Sequence, residues 1–176
     1  MLRTRRIPPA VLVAGMSFVA AMPVAWADQG EPQLVPFRGT ISGNYTAQVI
    51  PPNVIITARG DGGHATHLGR FEMTGRVTVG LVRGPVPNCT VPGTTEVFTA
   101  TLTAANGDML MLEGTGTGCQ TSPTTVEVID HVSVTDGTGR FEGATGLITV
   151  RTSADQSTST QVVQLEGVIS TPKSST

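Results

Sequence analysis

The sequence predicts an all-β protein folded as a small antiparallel barrel of eight strands. Short runs rich in valine and threonine recur along the chain, and Gly and Pro interrupt them at short intervals. No segment carries the hydrophobic period of a helix. Apolar and polar residues alternate through most of these runs, and closing such strands into a barrel removes exposed sheet edges.

The first 27 residues are predicted to be a secretory signal peptide that is not part of the fold. Three arginines precede an apolar run at 10–21, and the Ala-Trp-Ala at 25–27 matches the small-x-small pattern of a cleavage site. We therefore expect cleavage after Ala27 and a secreted or periplasmic protein. A single barrel domain would occupy 28–171, followed by a flexible tail at 172–176.

Charge and cysteine count narrow the class of protein. Removing the three leader arginines from 11 basic residues leaves 8 against 13 acidic residues, a net charge of −5. Nucleic acid and membrane are therefore not expected as partners, because neither would be attracted to an acidic chain without a basic patch. Cys89 and Cys119 are the two cysteines, and in an oxidising compartment we expect them to form one disulfide.

The predicted strands follow one another with short connections. They lie at 35–42, 45–50, 54–58, 66–82, 96–105, 109–116, 125–135, 140–152 and 160–170. Asn106-Gly107 is the clearest turn, because both residues tolerate the positive φ of a two-residue type I′ hairpin. The pairs predicted from this turn are Ala104 with Met109, Leu102 with Met111, and Ala100 with Glu113.

This register assigns the faces of the hairpin. It places Glu113 on the same apolar face as Phe98 and leaves Leu110 and Leu112 on the opposite face. We expect a homo-oligomer, a dimer or trimer, to form through that outer face. In the run at 125–135, Asp130 shares a face with four valines.

Two carboxylates on apolar faces are the predicted catalytic candidates. A buried carboxylate is costly unless it is paired or protonated, so Glu113 and Asp130 could serve as general acid and base or hold a polar group of a ligand. The alternative is that either one lies wetted and inert at a barrel mouth. His67 is the histidine chosen to join them; His64 and His131 are interpreted as structural, and no metal site or cofactor is expected.

The tetrapeptide Gly-Arg-Phe-Glu occurs at 69–72 and again at 139–142, each copy followed by Thr-Gly. Each copy is interpreted as a strand entry in which glycine turns the chain and phenylalanine points inward. The segment 136–146 resembles the Gly-x-Gly-x-Phe-x-Gly-x-x-Gly signature of the allene oxide cyclase and dirigent barrel superfamily, and the Leu-Val-Pro-Phe at 34–37 resembles the start of such a barrel. The resemblance implies a calycin-like eight-stranded barrel with a hydrophobic cavity, in which members steer reactive lipid or phenolic intermediates mostly by shape.

The function predicted from these features is binding of a small hydrophobic ligand inside the barrel. The predicted cavity lining is Phe37, Phe71, Met73, Phe98, Leu102, Met111 and Phe141. One alternative is a cyclase or isomerase of the allene oxide cyclase type that folds a reactive substrate inside the same cavity. The other is a structural or surface-interaction protein whose barrel is filled by its own side chains.

Overall fold

The computed structural model of the protein describes residues 33–81, 83–86, 89 and 92–170. The predicted signal peptide and tail lie outside the described residues. In these described ranges, the regular structure consists of eight strands and one short 3₁₀ turn. They are β1 (Leu34–Ile50), β2 (Asn53–Ala65), β3 (Gly69–Gly80), β4 (Thr94–Ala104), β5 (Met109–Gln120), β6 (Thr125–Gly137), the 3₁₀ turn (Gly139–Phe141), β7 (Gly146–Asp155) and β8 (Thr160–Ser170).

The strands form a closed antiparallel barrel in chain order. Each strand pairs with its sequence neighbours, and β1 pairs with β8 to close the sheet. The prediction of an all-β, eight-stranded antiparallel barrel is therefore confirmed. Two of the predicted gaps between strands have different outcomes. Residues 43–44 lie within the continuous β1, whereas residues 51–53 contain the β1–β2 turn.

The second Gly-Arg-Phe-Glu copy does not enter a strand, so the predicted strand at 140–152 began too early. Gly139 has a φ of 59°, and a Cβ there would collide with the Asp108 carboxylate. The chain instead makes a 3₁₀ turn, with the Phe141 amide donating to the Thr138 carbonyl at 3.1 Å. β7 starts only at Gly146.

The interior of one end of the barrel is solid. This closed end carries the β2–β3, β4–β5 and β6–β7 connections. Its phenylalanines are fully buried and pack with aliphatic residues from all eight strands, as the interdigitated core of a small barrel does. The principal members of this closed core are Phe37, Ile41, Phe71, Leu102, Leu110, Leu112, Phe141, Ile148, Leu165 and Ile169.

Arg140 ties three connections together across the closed end. Its Nη2 donates to the Leu68 carbonyl at 2.9 Å, and its Nε lies 3.4 Å from the Asp108 carboxylate. The guanidinium also sits 4.9 Å from the centre of the Phe141 ring. Through Arg140, the second Gly-Arg-Phe-Glu copy therefore helps to hold together the closed end of the barrel, at which the first copy begins.

The predicted register of the β4–β5 hairpin is wrong by one residue. The Ala104 amide donates to the Asp108 carbonyl at 2.8 Å, and the Gly107 amide donates to the Ala104 carbonyl at 2.9 Å, so the loop has three residues. Gly107 has a positive φ but Asn106 does not, which excludes the type I′ turn. The observed pairs include Leu102 with Leu110, Ala100 with Leu112, and Thr99 with Glu113.

A one-residue shift exchanges the two faces of β5, because side chains alternate along a strand. Leu110 and Leu112 are buried in the closed core, whereas Met111 and Glu113 point to the outside. The surface on which we expected dimers or trimers to form is therefore interior. The prediction of a Leu110 and Leu112 interface is wrong.

The predicted disulfide is present at the opposite, open end. Cys89 and Cys119 are bonded, with 5.6 Å between their Cα atoms, a separation typical of disulfides. The bond joins the β3–β4 connection to the end of β5. In the same connection, Gly84 and Gly93 form an isolated antiparallel β-bridge through their backbones.

Candidate functional site

The open half of the barrel contains a cavity of about 260 Å³. Its wall consists mainly of aliphatic side chains that continue the inward faces of the strands. The main lining residues are Ala47, Val54, Ile56, Ala58, Met73, Val77, Val79, Phe98, Val126, Val128, Ala154 and Val163. Most of a ligand in this space would contact apolar surface, which is the usual composition of a small-molecule pocket.

Two carboxyl groups, Glu96 and Asp130, lie in this apolar wall. Glu96 on β4 pairs with Gly116 on β5, and Gly116 pairs with Asp130 on β6. The three residues form a row across neighbouring strands, with their side-chain positions on the inner face. A Cβ at Gly116 would collide with Oδ1 of Asp130, so only glycine leaves room for the two carboxyls to meet above β5.

Both carboxyls are removed from water. Glu96 is 7% exposed and Asp130 is 1% exposed. Burial raises the pKa of Glu96 to about 8, and the charge of Asp130 and the hydrogen bond to it add to the shift. Burial also raises the pKa of Asp130 to about 6, against the opposing effects of the Glu96 hydrogen bond and of His131. At neutral pH the two carboxyls therefore share about one proton between them.

One oxygen of the pair is left without a partner. Among the residues that the structure describes, Oδ1 of Asp130 forms no hydrogen bond. Buried polar atoms almost always find a partner, so an unpartnered carboxylate oxygen on a residue that lines a cavity indicates a place for a ligand donor. Gln161 on β8 is also buried and lines the same cavity.

The mouth of the cavity is more polar than its wall. Tyr45 on β1 lines it and donates from its hydroxyl to the Asp155 carbonyl at 3.2 Å. Burial, followed by the charge of Asp155, raises the pKa of Tyr45. Arg83 is exposed at the rim and donates to Oε1 of Gln120 at 3.3 Å. Entry to the cavity therefore passes between hydrogen-bonding side chains.

The predicted cavity lining is divided by the structure between the two halves of the barrel. Met73 and Phe98 line the cavity. Phe37, Phe71, Leu102 and Phe141 face the interior but belong to the closed core, and Met111 points outward because of the hairpin register. The inward faces were predicted well, but the boundary between solid core and open space was not.

Of the three predicted catalytic residues, the structure places Asp130 alone in the cavity. Glu113 is exposed on the outer face of β5. His67 is exposed in the β2–β3 turn with a φ of 63°, at the closed end of the barrel. Neither lies near Asp130, so the proposed grouping of these three residues is wrong.

Glu96 is the partner that the sequence reasoning missed. It precedes Phe98 by two residues, so the same alternation that turned Phe98 inward also predicted an inward Glu96. A second signal was the alternation of Gly114, Gly116 and Gly118 along β5, since glycine within a strand often marks close approach of another group.

Within the described parts of the chain, no three His, Cys, Asp or Glu side chains come close enough to hold a metal ion. In the same residues there is no helix of the length and apolarity required to cross a bilayer. The disulfide is compatible with a periplasmic or extracellular protein.

Comparison with known proteins finds no relative of this chain. Neither protein-family models, nor curated protein sequences, nor solved structures match the chain.

Proposed function

We propose that this protein is a secreted binding protein that encloses a small apolar molecule in the open half of its barrel. The observation that carries the proposal is the cavity itself. The same eight strands that form a solid core at one end surround about 260 Å³ of space at the other. Filling that space with aliphatic side chains would have stabilised the protein, so leaving it open favours a role in binding.

The dimensions of the cavity favour a small guest. Small-molecule pockets usually span roughly 300–1,000 Å³, and this cavity lies just below that range. Its one open end permits entry between Tyr45 and Arg83, while the closed core prevents passage through the barrel. A ligand that enters there would contact Glu96 and Asp130, because both line the cavity.

A cavity-filling variant tests this function. Ala58 on β2 points into the cavity, and Thr57 beside it is exposed on the outside. We expect wild-type protein to bind 1-octanol or 2-phenylethanol saturably in titration calorimetry. Ala58→Phe should weaken that binding about tenfold or more by occupying the space, whereas Thr57→Phe should leave it unchanged.

Native mass spectrometry of protein purified without denaturant is the companion measurement, because it would detect a co-purifying apolar molecule. No saturable binding of either alcohol, or equal affinity in the two phenylalanine variants, would contradict the proposal. In that event the remaining alternative, a structural or surface-interaction protein, would be preferred.

A second candidate function is a cyclase or isomerase of the allene oxide cyclase type. The observation that favours it is the pair of cavity carboxyls with different pKa values, about 8 for Glu96 and about 6 for Asp130. One protonated and one ionised carboxyl in a single apolar site can act as general acid and general base. The resemblance at 136–146 suggests a reactive hydrophobic substrate.

The enzymatic alternative makes a separate prediction. An allene oxide generated in the presence of the protein should yield a cyclic product with an enantiomeric excess, measured by chiral chromatography. Glu96→Gln combined with Asp130→Asn should lower the yield of cyclic product if these groups transfer protons. A racemic product at the uncatalysed yield would exclude this reaction.

A further inference from the structure

The chemical environment of Asp130 indicates what the leading group of a ligand should be. Asp130 lines the cavity, and its Oδ1 is buried and lacks a hydrogen-bond partner among the described residues. Glu96 also forms a hydrogen bond with this carboxyl. A ligand in the cavity therefore meets a carboxyl group that can accept a further hydrogen bond.

The side chains around Asp130 inside the barrel carry little positive charge. Val79 and Val150 are the next residues in the row beyond Glu96 and Asp130, and both are apolar. His131 follows Asp130 but is exposed on the outer face. Among the described residues that line the cavity, Arg83 is the one basic side chain, and it lies at the rim. A buried negative charge whose nearest cations lie at the rim and outside the barrel favours a positively charged guest.

Three classes of leading group can be compared on this basis. A carboxylate would place a second negative charge beside Asp130. An alcohol would supply one donor but no charge. An ammonium group supplies three donors and a positive charge, and hydrogen bonds between charged partners are about twice as strong as neutral ones.

We propose that the cavity selects a small apolar amine, whose ammonium group donates to Oδ1 of Asp130 while its apolar body contacts the aliphatic wall. This inference rests on the proposed binding function and specifies its ligand class. Glu96 acts as a positioning residue that holds the Asp130 carboxylate over Gly116. The rim arginine disfavours entry of amines less than a buried one would, because solvent screens its charge.

Three probes of matched shape test this selectivity in the full-length wild-type protein. Titration calorimetry at pH 7.5 with 2-phenylethylamine, 2-phenylethanol and 3-phenylpropionate compares ammonium, hydroxyl and carboxylate on one apolar body. We expect the amine to bind about tenfold or more tightly than the alcohol, and the carboxylate to bind weakest.

Variants of β6 assign the effect to one side chain. Asp130→Asn should weaken amine binding about tenfold or more, yet change alcohol binding by less than about threefold. Glu127→Gln removes the same charge from the exposed face of β6 and should leave all affinities unchanged. Glu96→Gln preserves the Asp130 charge and a donor to it, so amine binding should persist; circular dichroism checks the fold of each variant.

The outcomes separate the inference from the function on which it rests. If the alcohol or the carboxylate binds as tightly as the amine, or if Asp130→Asn leaves amine binding intact, the amine inference is overturned while cavity binding stands. If none of the three probes binds wild-type protein, and the octanol test is also negative, both fail together.

Discussion

The two halves of the barrel are built from the same strands but from different interior residues. On β5 the inward positions begin with Leu110 and Leu112 at the closed end and continue with Gly114, Gly116 and Gly118 toward the open end. On β4 the inward series passes from Leu102 to Glu96. The closed half therefore contributes stability through packing, whereas the open half contains space and buried carboxyls that lower stability.

This difference is what a binding site within a small domain requires. Residues suited to recognition are poorly suited to packing, so a protein that separates them can retain both properties. The disulfide lies at the open end, where the packed core is absent. It constrains the connection that a filled interior would otherwise hold in place.

The largest expected effect comes from removing a closed-end aromatic. Phe71 is 1% exposed and lies within the packed core. Phe71→Ala should lower the free energy of unfolding by about 3–5 kcal/mol, because a large side chain is removed from a site that cannot collapse. Urea-induced unfolding, followed by circular dichroism, measures the change.

The matched control is Phe98→Ala on β4. Phe98 is 5% exposed, but it borders the cavity and so already lacks neighbours on one side. We expect a loss of about 2 kcal/mol. Equal losses for the two phenylalanines would mean that the halves do not differ in packing as described.

An intermediate effect is expected from replacing the carboxyl pair. Here the substitutions should raise the free energy of unfolding, whereas the phenylalanine substitutions lower it. Both pKa values are raised in the folded protein, to about 8 for Glu96 and about 6 for Asp130. The folded state therefore binds more protons than the unfolded state between about pH 4 and pH 8, and stability should fall as pH rises through this window. Glu96 and Asp130 face each other across Gly116, with Val79 and Val150 beyond them and His131 outside.

Combining Glu96→Gln with Asp130→Asn should remove this dependence. At pH 8 the double variant should be more stable than wild type by about 2–3 kcal/mol, whereas near pH 4 the two should be similar. Urea unfolding at several pH values measures the slope. A wild-type protein that gains stability between pH 5 and pH 8 would show that the pair is not destabilising.

The smallest expected effect concerns the two Gly-Arg-Phe-Glu copies. Arg140 contacts the Leu68 carbonyl and Asp108, whereas Arg70 is exposed on the outer face of β3. Arg140→Ala should cost about 1 kcal/mol, because it removes a hydrogen bond and a partly exposed ion pair. Arg70→Ala should cost less than about 0.5 kcal/mol. Equal costs in thermal or urea unfolding would contradict a special role for the second copy at the closed end.

Much of the architecture could be predicted because alternation is a local property. The inward positions of Phe71 and Met73 on β3 were assigned correctly, and a period of two placed Asp130 of β6 among its valines. The disulfide was predicted from an even cysteine count and from the expectation of export. None of these inferences required knowledge of distant contacts.

The β4–β5 hairpin shows how a wrong prediction of one turn changes the predicted site. Asn106-Gly107 is compatible with both a two-residue and a three-residue loop, and the choice reverses every side chain of β5. The wrong choice placed Glu113 inside and left Glu96 without a role. Nothing within the turn itself distinguishes the two registers, because the burial of Leu110 and Leu112 against other strands decides between them.

By itself, the sequence determined the strand content, the inward faces of most strands and the pairing of the cysteines, since these depend on residue order and composition. Only the tertiary structure decided which inward residues fill the barrel and which surround open space. It also brought Glu96 to Asp130 across Gly116, because residues 34 positions apart in the chain become neighbours only when the register of three strands is set.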